Sequence, residues 1–462
     1  MKKRKKIERK IEFRWQNFRA FKNSGWIELK PLTIFIGPNA SGKTSLLQPL
    51  IIFNQTIKSA DSTLPLLTNS NYVDAGTFHD LIHNHLNNGK IHFSFKFTTK
   101  DMKLKKNNKI GNIPPCKVSL TFSQKQNSPQ LISFIIEDYL GRLLIKRTLN
   151  KRGNYSIKFC KPFHQRTARD RRLYKTILEQ KPRHFLFDDS IISDELALLI
   201  SNKKAKSETA IRLIFSGACG LYLRTLGYIE MKLSRFLSSI RYIGPLRESP
   251  KRYYEFRGER PLEVGSRGEY TPSLLFRMKE SKKQSELLNY WIKHFGLAKN
   301  ITSKLIAKHA LIDLQVKPIG RPFEVNIADT GFGLSQLLPL IVQTIIAKDG
   351  DLIITEQPEI HLNPKLETCL AEFFVSMIKE KRKFIIETHS EHFILRLRSL
   401  IKKGDISPED VAIYFTEKIG NENKVFRIII DKNGEFPNND WPKGFFEEAM
   451  AESLRFATMK NK

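Results

Sequence analysis

The residues from Gly37 to Thr44, which read GPNASGKT, have the types and spacing of a phosphate-binding loop. The apolar run LTIFI precedes them and a helix-like segment follows, which is the strand–loop–helix context that such a loop requires. Glycines let the backbone turn so that consecutive N–H groups point at a phosphate, and the helix adds its positive amino-terminal end. The sequence therefore predicts a nucleotide site formed by Gly37, Pro38, Asn39, Ala40, Ser41, Gly42, Lys43, Thr44 and Ser45.

Two side chains of this loop predict how the nucleotide is held. Lys43 is expected to reach the β- and γ-phosphates, which carry most of the negative charge of ATP. Thr44 is expected to place its hydroxyl oxygen on Mg²⁺, a cation that prefers oxygen ligands. The expected cofactors are therefore ATP and Mg²⁺, bound together as the metal complex of the nucleotide.

Three further segments carry polar residues where an element ends or begins. An apolar run ends at Glu356 in DLIITEQPEIHLNP, and another ends at Thr388-His389-Ser390 in KFIIETHSEHF, which places His389 at the edge where α/β sheets bind ligands. The segment DTGFGLSQLLPLIVQTIIA is a Gly-rich turn that runs into an apolar helix, with Ser335 near its predicted N-cap. A serine there, next to Gly331 and Gly333, can offer its hydroxyl and the helix amino terminus to an anion.

In this order the motifs resemble those of the OLD-like branch of ABC-type ATPases, which are similar to SMC and RecF proteins. Within that branch, the runs EQPEIHL, ETHSEH and WPKGFF resemble the single-chain ATPases of bacterial anti-phage operons, such as the ATPase subunits of the PARIS and Septu systems. The motifs and their lobes cover roughly half of the chain. The resemblance implies roles for individual residues as well as a fold.

Three residues would be catalytic by this resemblance. Glu356 would be the Walker B carboxylate, which holds Mg²⁺ through water and forms the metal site with Thr44. Gln357 occupies the position where the family has a second acid that orients the attacking water. A neutral amide is a poor base, although it can position water, so we expect slow hydrolysis. His389 resembles the switch histidine, which would hydrogen-bond the γ-phosphate or the water.

The resemblance also implies a homo-oligomer in which two subunits share an ATP site. The family's signature turn contacts the γ-phosphate that is bound on the other subunit, and Ser335 with Gly333 corresponds to that turn. Gln336 and Leu337 replace the glycines of the family pattern. The correspondence therefore rests on Leu334 and Ser335 and is strongest for the serine.

The fold class that we expect is α/β, a P-loop NTPase of ABC/SMC-head type with an α+β insertion between its two ATPase lobes. Alternating apolar residues between Lys90 and Phe159 predict β-hairpins, and residues 163–240 read as helical. No heptads persist long enough for a coiled coil. The expected divisions are residues 1–57 (amino-terminal ATPase lobe with Walker A), 58–320 (insertion, part of whose sheet returns to the ATPase lobe), 321–405 (carboxy-terminal ATPase lobe with signature, Walker B and switch histidine) and 406–462 (hairpin and helix).

Composition restricts the partners and the compartment. Lys and Arg number 78 against 47 acidic residues, a net charge of +31 that favours polyanionic partners, although an excess spread along the chain is also an ordinary solvated surface. The most basic helical piece is RTARDRRLYKTILEQK. Arg247, in a Gly-rich and Arg-rich stretch, is a candidate for a nucleotide or subunit contact, or for a surface ion pair. Isolated cysteines and the lack of an apolar span predict a cytoplasmic protein without a membrane segment.

We therefore expect a slow ATPase that acts as the regulatory subunit of an anti-phage system. Its partners would be further copies of the chain and a separate effector, such as a Toprim or HNH nuclease. A nucleic acid or an acidic, DNA-mimicking phage protein is a further candidate partner. Two alternatives stay open: a DNA-repair ATPase of the RecF or SMC type, and a nucleotide-gated scaffold that scarcely hydrolyses ATP.

Overall fold

The structure is a computed structural model of the 462-residue chain. It describes residues 10–86, 89–98, 103–106, 109–112, 116–126, 128–138, 140–159, 182–187, 218–308 and 310–437. The basic residues 1–9, the basic helix expected at residues 166–181 and the aromatic helix expected after residue 440 lie outside these ranges.

The strands follow the chain in this order: β1 (Ile11–Phe18), β2 (Phe21–Asn23), β3 (Ile27–Leu29), β4 (Leu32–Ile36), β5 (Ile91–Phe97), β6 (Lys103–Lys106), β7 (Lys109–Asn112), β8 (Cys116–Lys125), β9 (Ser128–Asp138), β10 (Leu143–Leu149), β11 (Tyr155–Phe159), β12 (Ile240–Ile243), β13 (Tyr254–Glu255), β14 (Asn300–Ile306), β15 (Leu311–Lys317), β16 (Val325–Asn326), β17 (Leu352–Glu356), β18 (Lys383–Glu387), β19 (Val411–Ile419) and β20 (Glu422–Ile428).

The helices are α1 (Lys43–Lys58), α2 (Phe78–Leu81), α3 (Ala218–Ser238), α4 (Thr271–Met278), α5 (Lys282–His294), α6 (Phe332–Ile346), α7 (Pro364–Lys379) and α8 (Glu391–Lys402). Short 3₁₀ turns span His83–His85, Ile327–Asp329 and Pro408–Asp410.

One compact unit comprises Met1–Leu29 and Gln48–Ser238. Its sheet is antiparallel in the order β11-β10-β9-β8-β5-β1-β2, with β3 also paired to β1. Apolar side chains alternate with polar ones along β8, so that one face of the strand is buried, as its sequence pattern predicts. Phe53 packs edge-on against Phe93 and Phe185, with ring centroids 5.0 and 4.8 Å apart. The hairpins expected between Lys90 and Phe159 are confirmed.

The second unit comprises Lys30–Leu47 and Ser239–Lys462. Its main sheet has the order β12-β17-β18-β4-β19-β20 and is parallel except for β20, which runs antiparallel to β19. β4 and β17 are buried along their whole length, which is why they read as continuous apolar runs. The apolar residues of α6, α7 and α8 join these strands in one core. A smaller antiparallel sheet has the order β13-β15-β14, with β16 paired to β15.

The parallel strands bring the predicted motifs to one edge of this sheet. β18 lies between β4 and β17, and all three run in the same direction. The pairing register sets Glu356 opposite Glu387 and sets Glu387 opposite Phe35. The residues that follow β4, β17 and β18 therefore meet at the carboxyl ends of adjacent strands, where open α/β sheets bind ligands.

None of the helices within the described residues is long and apolar enough to cross a membrane.

Candidate nucleotide-binding site

The loop after β4 needs its first glycine. Gly37 has φ of +144°, and a Cβ at this position would lie 2.2 Å from the carbonyl oxygen of Thr416 on β19. Gly42 also has a positive φ, of +94°. The hydroxyls of Ser41 and Thr416 are 2.6 Å apart, and Asn423 donates a 2.7 Å hydrogen bond to the Ser41 carbonyl. Residues of β19 and β20 thus hold the turn of the loop in place.

Lys43 is the first residue of α1, and only 4% of its surface is exposed. Its Nζ donates to the carbonyl oxygens of Gly37 at 3.0 Å and Pro38 at 2.7 Å. Burial lowers the pKa of Lys43, and the negative charges of Glu387 and Glu359 oppose that shift. Within the described residues, no carboxylate forms an ion pair with this ammonium group. Its charge is therefore held inside the loop by neutral carbonyls.

Two buried carboxylates end the neighbouring strands, Glu356 on β17 and Glu387 on β18, with 6% and 5% exposed. The phenol of Tyr242 on β12 donates to Glu356 Oε1 at 2.8 Å. The hydroxyl of Thr44 donates to Glu387 Oε2 at 3.0 Å and to Oε1 at 3.2 Å. Each carboxylate thus has one hydroxyl donor and lies beside the other.

Burial, followed by the nearby charge of Glu387, raises the pKa of Glu356 to about 7. The hydrogen bond from Tyr242 and the charge of Arg247 act in the opposite direction. Burial also raises the pKa of Glu387, against the effects of Lys43 and Thr44. Like charges this close disfavour double ionisation, and a divalent cation between them would relieve the repulsion.

The predicted catalytic residues Gln357 and His389 follow the two acids. The backbone N–H of Gln357 donates to the Glu387 carbonyl at 2.7 Å, and Gln357 has φ of +43°, which is uncommon for a residue other than glycine. The backbone N–H of His389 donates to Glu359 Oε1 at 2.7 Å. Burial, followed by the charge of Lys43, lowers the pKa of His389 to about 4. The imidazole is therefore neutral near pH 7 and has one nitrogen that can accept a hydrogen bond.

The predicted signature turn lies at the start of α6. The N-cap is Gly331, and Ser335 lies a full turn inside the helix, where its hydroxyl donates to the Phe332 carbonyl at 2.8 Å. A serine inside a helix readily bonds a carbonyl of the preceding turn in this way. Gly333 and Gly331 line a cavity of about 360 Å³ together with Leu366. Among the described residues of this chain, no hydrogen bond joins this turn to the P-loop.

Two family models match the chain. One, described as an AAA ATPase domain, matches residues 11–226 and 269–394. The chain belongs to this AAA ATPase domain family. The expected fold class, α/β with the P-loop NTPase arrangement, is confirmed. The other model, described as a protein of unknown function (DUF3696), matches residues 406–455 of this AAA ATPase. No curated protein matches the chain.

Solved structures similar to this AAA ATPase include heads of SMC proteins. One is the Smc head domain with an extended coiled coil, bound to the C-terminal domain of ScpA, from Pyrococcus furiosus, with 11% identity, 98% of this chain and 100% of that chain covered, and a TM-score of 0.43. The SMC head domain from Thermotoga maritima has 11% identity, coverage of 90% and 98%, and a TM-score of 0.36. The SmcHead bound to the C-winged helix domain of ScpA has 12% identity, coverage of 95% and 98%, and a TM-score of 0.38.

The residues of this AAA ATPase fit ATP and Mg²⁺. Gly37 leaves room where any Cβ would collide with the backbone, and Lys43 has its ammonium on loop carbonyls that a phosphate can replace. Thr44 and Glu356 offer the hydroxyl and carboxylate oxygens that Mg²⁺ prefers. When bound, Mg²⁺ would neutralise charge that develops on the phosphates. Lys43 would bind those phosphates, and His389 would donate or accept a hydrogen bond beside them.

Two residues of the site were not predicted, Tyr242 and Glu387. A signal for Glu387 was present in the sequence, because KFIIE ends in an acid as LIITE does. No sequence pattern marks Tyr242 as a site residue, because only the pairing of β12 with β17 brings it next to Glu356. Arg247 is buried and donates to the Glu356 carbonyl at 3.3 Å, so its interpretation as a surface ion pair is wrong. Burial lowers its pKa to about 10, and it remains charged at neutral pH.

Proposed function

We propose that this AAA ATPase is a regulatory latch that binds ATP with Mg²⁺, hydrolyses it slowly and, while ATP is bound, controls a separate effector protein. One observation carries the proposal: the site has the groups that bind ATP and Mg²⁺, but it has an amide where the general base is expected. Lys43, Thr44 and Glu356 supply the binding groups, and Gln357 is the amide.

Slow turnover follows from the chemistry of Gln357. A carboxylate accepts a proton from the attacking water, whereas an amide only orients the water, and general-base assistance is typically worth ~10²–10⁴-fold. We assign His389, which is neutral near pH 7, a hydrogen bond to the water or the γ-phosphate and no part in proton abstraction. An enzyme with this site would remain ATP-bound for most of its cycle.

We propose that the ATP-bound form is a dimer or a higher homo-oligomer that shares its sites. The support is that the turn containing Ser335 has no hydrogen bond to the P-loop within the described residues of one chain. Phe332, the first residue of α6, leaves 61% of its surface exposed beside His361, with ring centroids 6.3 Å apart. An exposed aromatic ring next to this turn is suited to contact with a second subunit.

The anti-phage role rests on the resemblance of EQPEIHL and ETHSEH to the ATPases of defence operons. We propose that the chain works in the cytoplasm as the sensor subunit and that its effector is a nuclease, such as a Toprim or HNH protein. The trigger would be an acidic phage protein or a nucleic acid, because the chain carries a charge of +31.

The test is phage challenge of bacteria that express this chain together with its neighbouring genes. The wild-type chain should protect the cells, and Lys43→Ala should abolish protection. Lys58→Ala, an exposed lysine at the other end of α1, is the matched control and should protect as the wild type does. Protection that survives Lys43→Ala, or no protection by the wild-type operon, would contradict the proposal.

A further inference from the structure

Glu387 is an acidic residue at the end of β18, between the P-loop strand β4 and the strand β17 that carries Glu356. It is the second buried acid of the site, and both of its carboxylate oxygens accept a hydrogen bond from Thr44. Thr44 is also the residue whose hydroxyl oxygen is expected to bind Mg²⁺. The Glu387 carboxylate therefore accepts the proton of the Thr44 hydroxyl in a hydrogen bond, which leaves the lone pairs of the hydroxyl oxygen to bind the metal.

We propose that Glu387 is a metal-positioning residue, which accepts the Thr44 hydroxyl proton in a hydrogen bond, directs the lone pairs of that oxygen toward Mg²⁺ and adds a second negative charge beside the metal. This inference rests on the proposed binding of ATP with Mg²⁺. It assigns Glu387 no part in proton abstraction from water.

The geometry supports this role in two ways. First, the register places Glu356 directly opposite Glu387 on parallel strands, and Thr44 donates to Glu387, so both residues that would hold Mg²⁺ are neighbours of Glu387. Second, the Glu387 carbonyl accepts the 2.7 Å hydrogen bond from the backbone N–H of Gln357. The main chain of β18 thus fixes the turn after Glu356, while its side chain fixes Thr44.

Charge supports the same conclusion. Glu356 and Glu387 are both buried, and Lys43 is the nearby cation that acts on Glu387. A divalent cation bound beside them would offset the repulsion between the two acids. The site is thereby suited to a nucleotide that arrives with its metal and less suited to free ATP.

The experiment measures the affinity of the full chain for ATP by calorimetry, once with excess Mg²⁺ and once with EDTA. The ratio of the two affinities is the enhancement that the metal provides. Glu387→Gln keeps the shape of the side chain but removes its charge, and loss of such an outer partner typically costs ~10–100-fold in metal affinity. We expect the ratio to fall by about that factor, with affinity in EDTA equal to or tighter than that of the wild type.

Two further variants complete the design. Glu380→Gln, the same substitution at an exposed residue after α7, should leave the ratio unchanged. Glu387→Asp keeps the charge but shortens the side chain, so it should lower the ratio less than Glu387→Gln does. If Glu387→Gln does not fold, the ratio measured for Glu387→Asp serves as the test instead.

The outcomes separate this inference from the proposed function. If the wild-type chain binds ATP with Mg²⁺ and Glu387 variants have the wild-type ratio, the role of Glu387 is wrong while the proposed nucleotide site stands. A Glu387→Gln variant that loses ATP binding equally with Mg²⁺ and with EDTA also overturns the inference, because the residue is then structural. If the wild-type chain does not bind ATP at all, the proposed function fails first.

Discussion

The phenol of Tyr242 and the carboxylate of Glu356 are joined by a 2.8 Å hydrogen bond, across the pairing of β12 with β17. Arg247 donates to the carbonyl of the same glutamate and to the hydroxyl of Thr355, both at 3.3 Å. The predicted metal ligand is therefore held through its side chain and its main chain by residues that lie more than a hundred positions earlier in the sequence. These contacts fix the direction of the Glu356 carboxylate.

The first prediction is that ATP binding in the presence of Mg²⁺ weakens as the pH falls below about 7. The pKa of Glu356 is about 7, so the carboxylate is increasingly protonated below that pH, and a protonated acid is a poor metal ligand. Tyr242→Phe removes a hydrogen bond that lowers this pKa, so the midpoint should move to higher pH. Titration of ATP at a series of pH values, with an EDTA series as the control, measures both midpoints. A Tyr242→Phe midpoint at or below that of the wild type would contradict the assignment.

The second prediction is that the raised pKa of Glu356 makes the stability of the fold depend on pH. The folded pKa of Glu356, about 7, lies above its ordinary value of 4.5, so the folded state binds the proton more tightly than the unfolded state does. This contribution to stability is complete below the ordinary pKa and is lost as the pH rises through about 7. Glu356→Gln is neutral at every pH and should therefore reduce the loss of melting temperature between pH 5 and pH 8, measured without nucleotide. An unchanged loss would mean that Glu356 is ionised at both values.

The third prediction concerns Lys43. Its ammonium neutralises phosphate charge that loop N–H groups only partly stabilise, so Lys43→Ala should remove ATP binding at physiological concentrations. Lys58→Ala, in the same helix, should bind as the wild type does. Calorimetry measures both affinities, and wild-type affinity in Lys43→Ala would refute the P-loop assignment.

The sequence predicted the parts of the site that local pattern encodes. Continuous apolar runs identified β4, β17 and β18. The loop after β4 was named by its motif, Glu356 and Gln357 by the resemblance to a Walker B segment, and His389 by its place at a strand end. Contacts that depend on the order of the strands in the sheet could not be predicted from local sequence pattern. Thr44 and Glu387 are 343 positions apart and meet only because β18 lies next to β4. For the same reason, the burial of Arg247 could not be read from its Gly-rich surroundings.

The fourth prediction tests whether two subunits share a site. A dimer of one Lys43→Ala subunit and one Ser335→Arg subunit has one site with both defects and one site with neither. Mixing the two inactive variants should therefore restore about half of the activity per mixed dimer, since one of its two sites is intact. Mixed oligomers that form but stay as inactive as the parents would exclude a site shared through Ser335.

The charge of +31 leads to a fifth prediction. If the positive surface binds an acidic protein, duplex DNA should bind the isolated chain weakly. If DNA is the ligand, each phosphate contact should add ~0.9 to the slope of log affinity against log salt. Fluorescence anisotropy of a labelled duplex at several salt concentrations distinguishes the two cases. Tight binding with a steep slope would favour the DNA-repair alternative.

The last prediction concerns Gln357, which sets the speed of the proposed latch. We expect turnover well below the ~1 s⁻¹ that marks the low end of ordinary enzymes, because the amide cannot accept a proton. Gln357→Glu should raise hydrolysis by a factor within ~10²–10⁴ and shorten the life of the ATP-held assembly. Gln357→Asn, which keeps the amide, should stay slow. Phosphate release and light scattering, recorded on the same samples, measure turnover and assembly together. Turnover of tens per second in the wild type would refute the latch, because another residue, with Glu359 as the nearest acid after Gln357, would then be supplying the base.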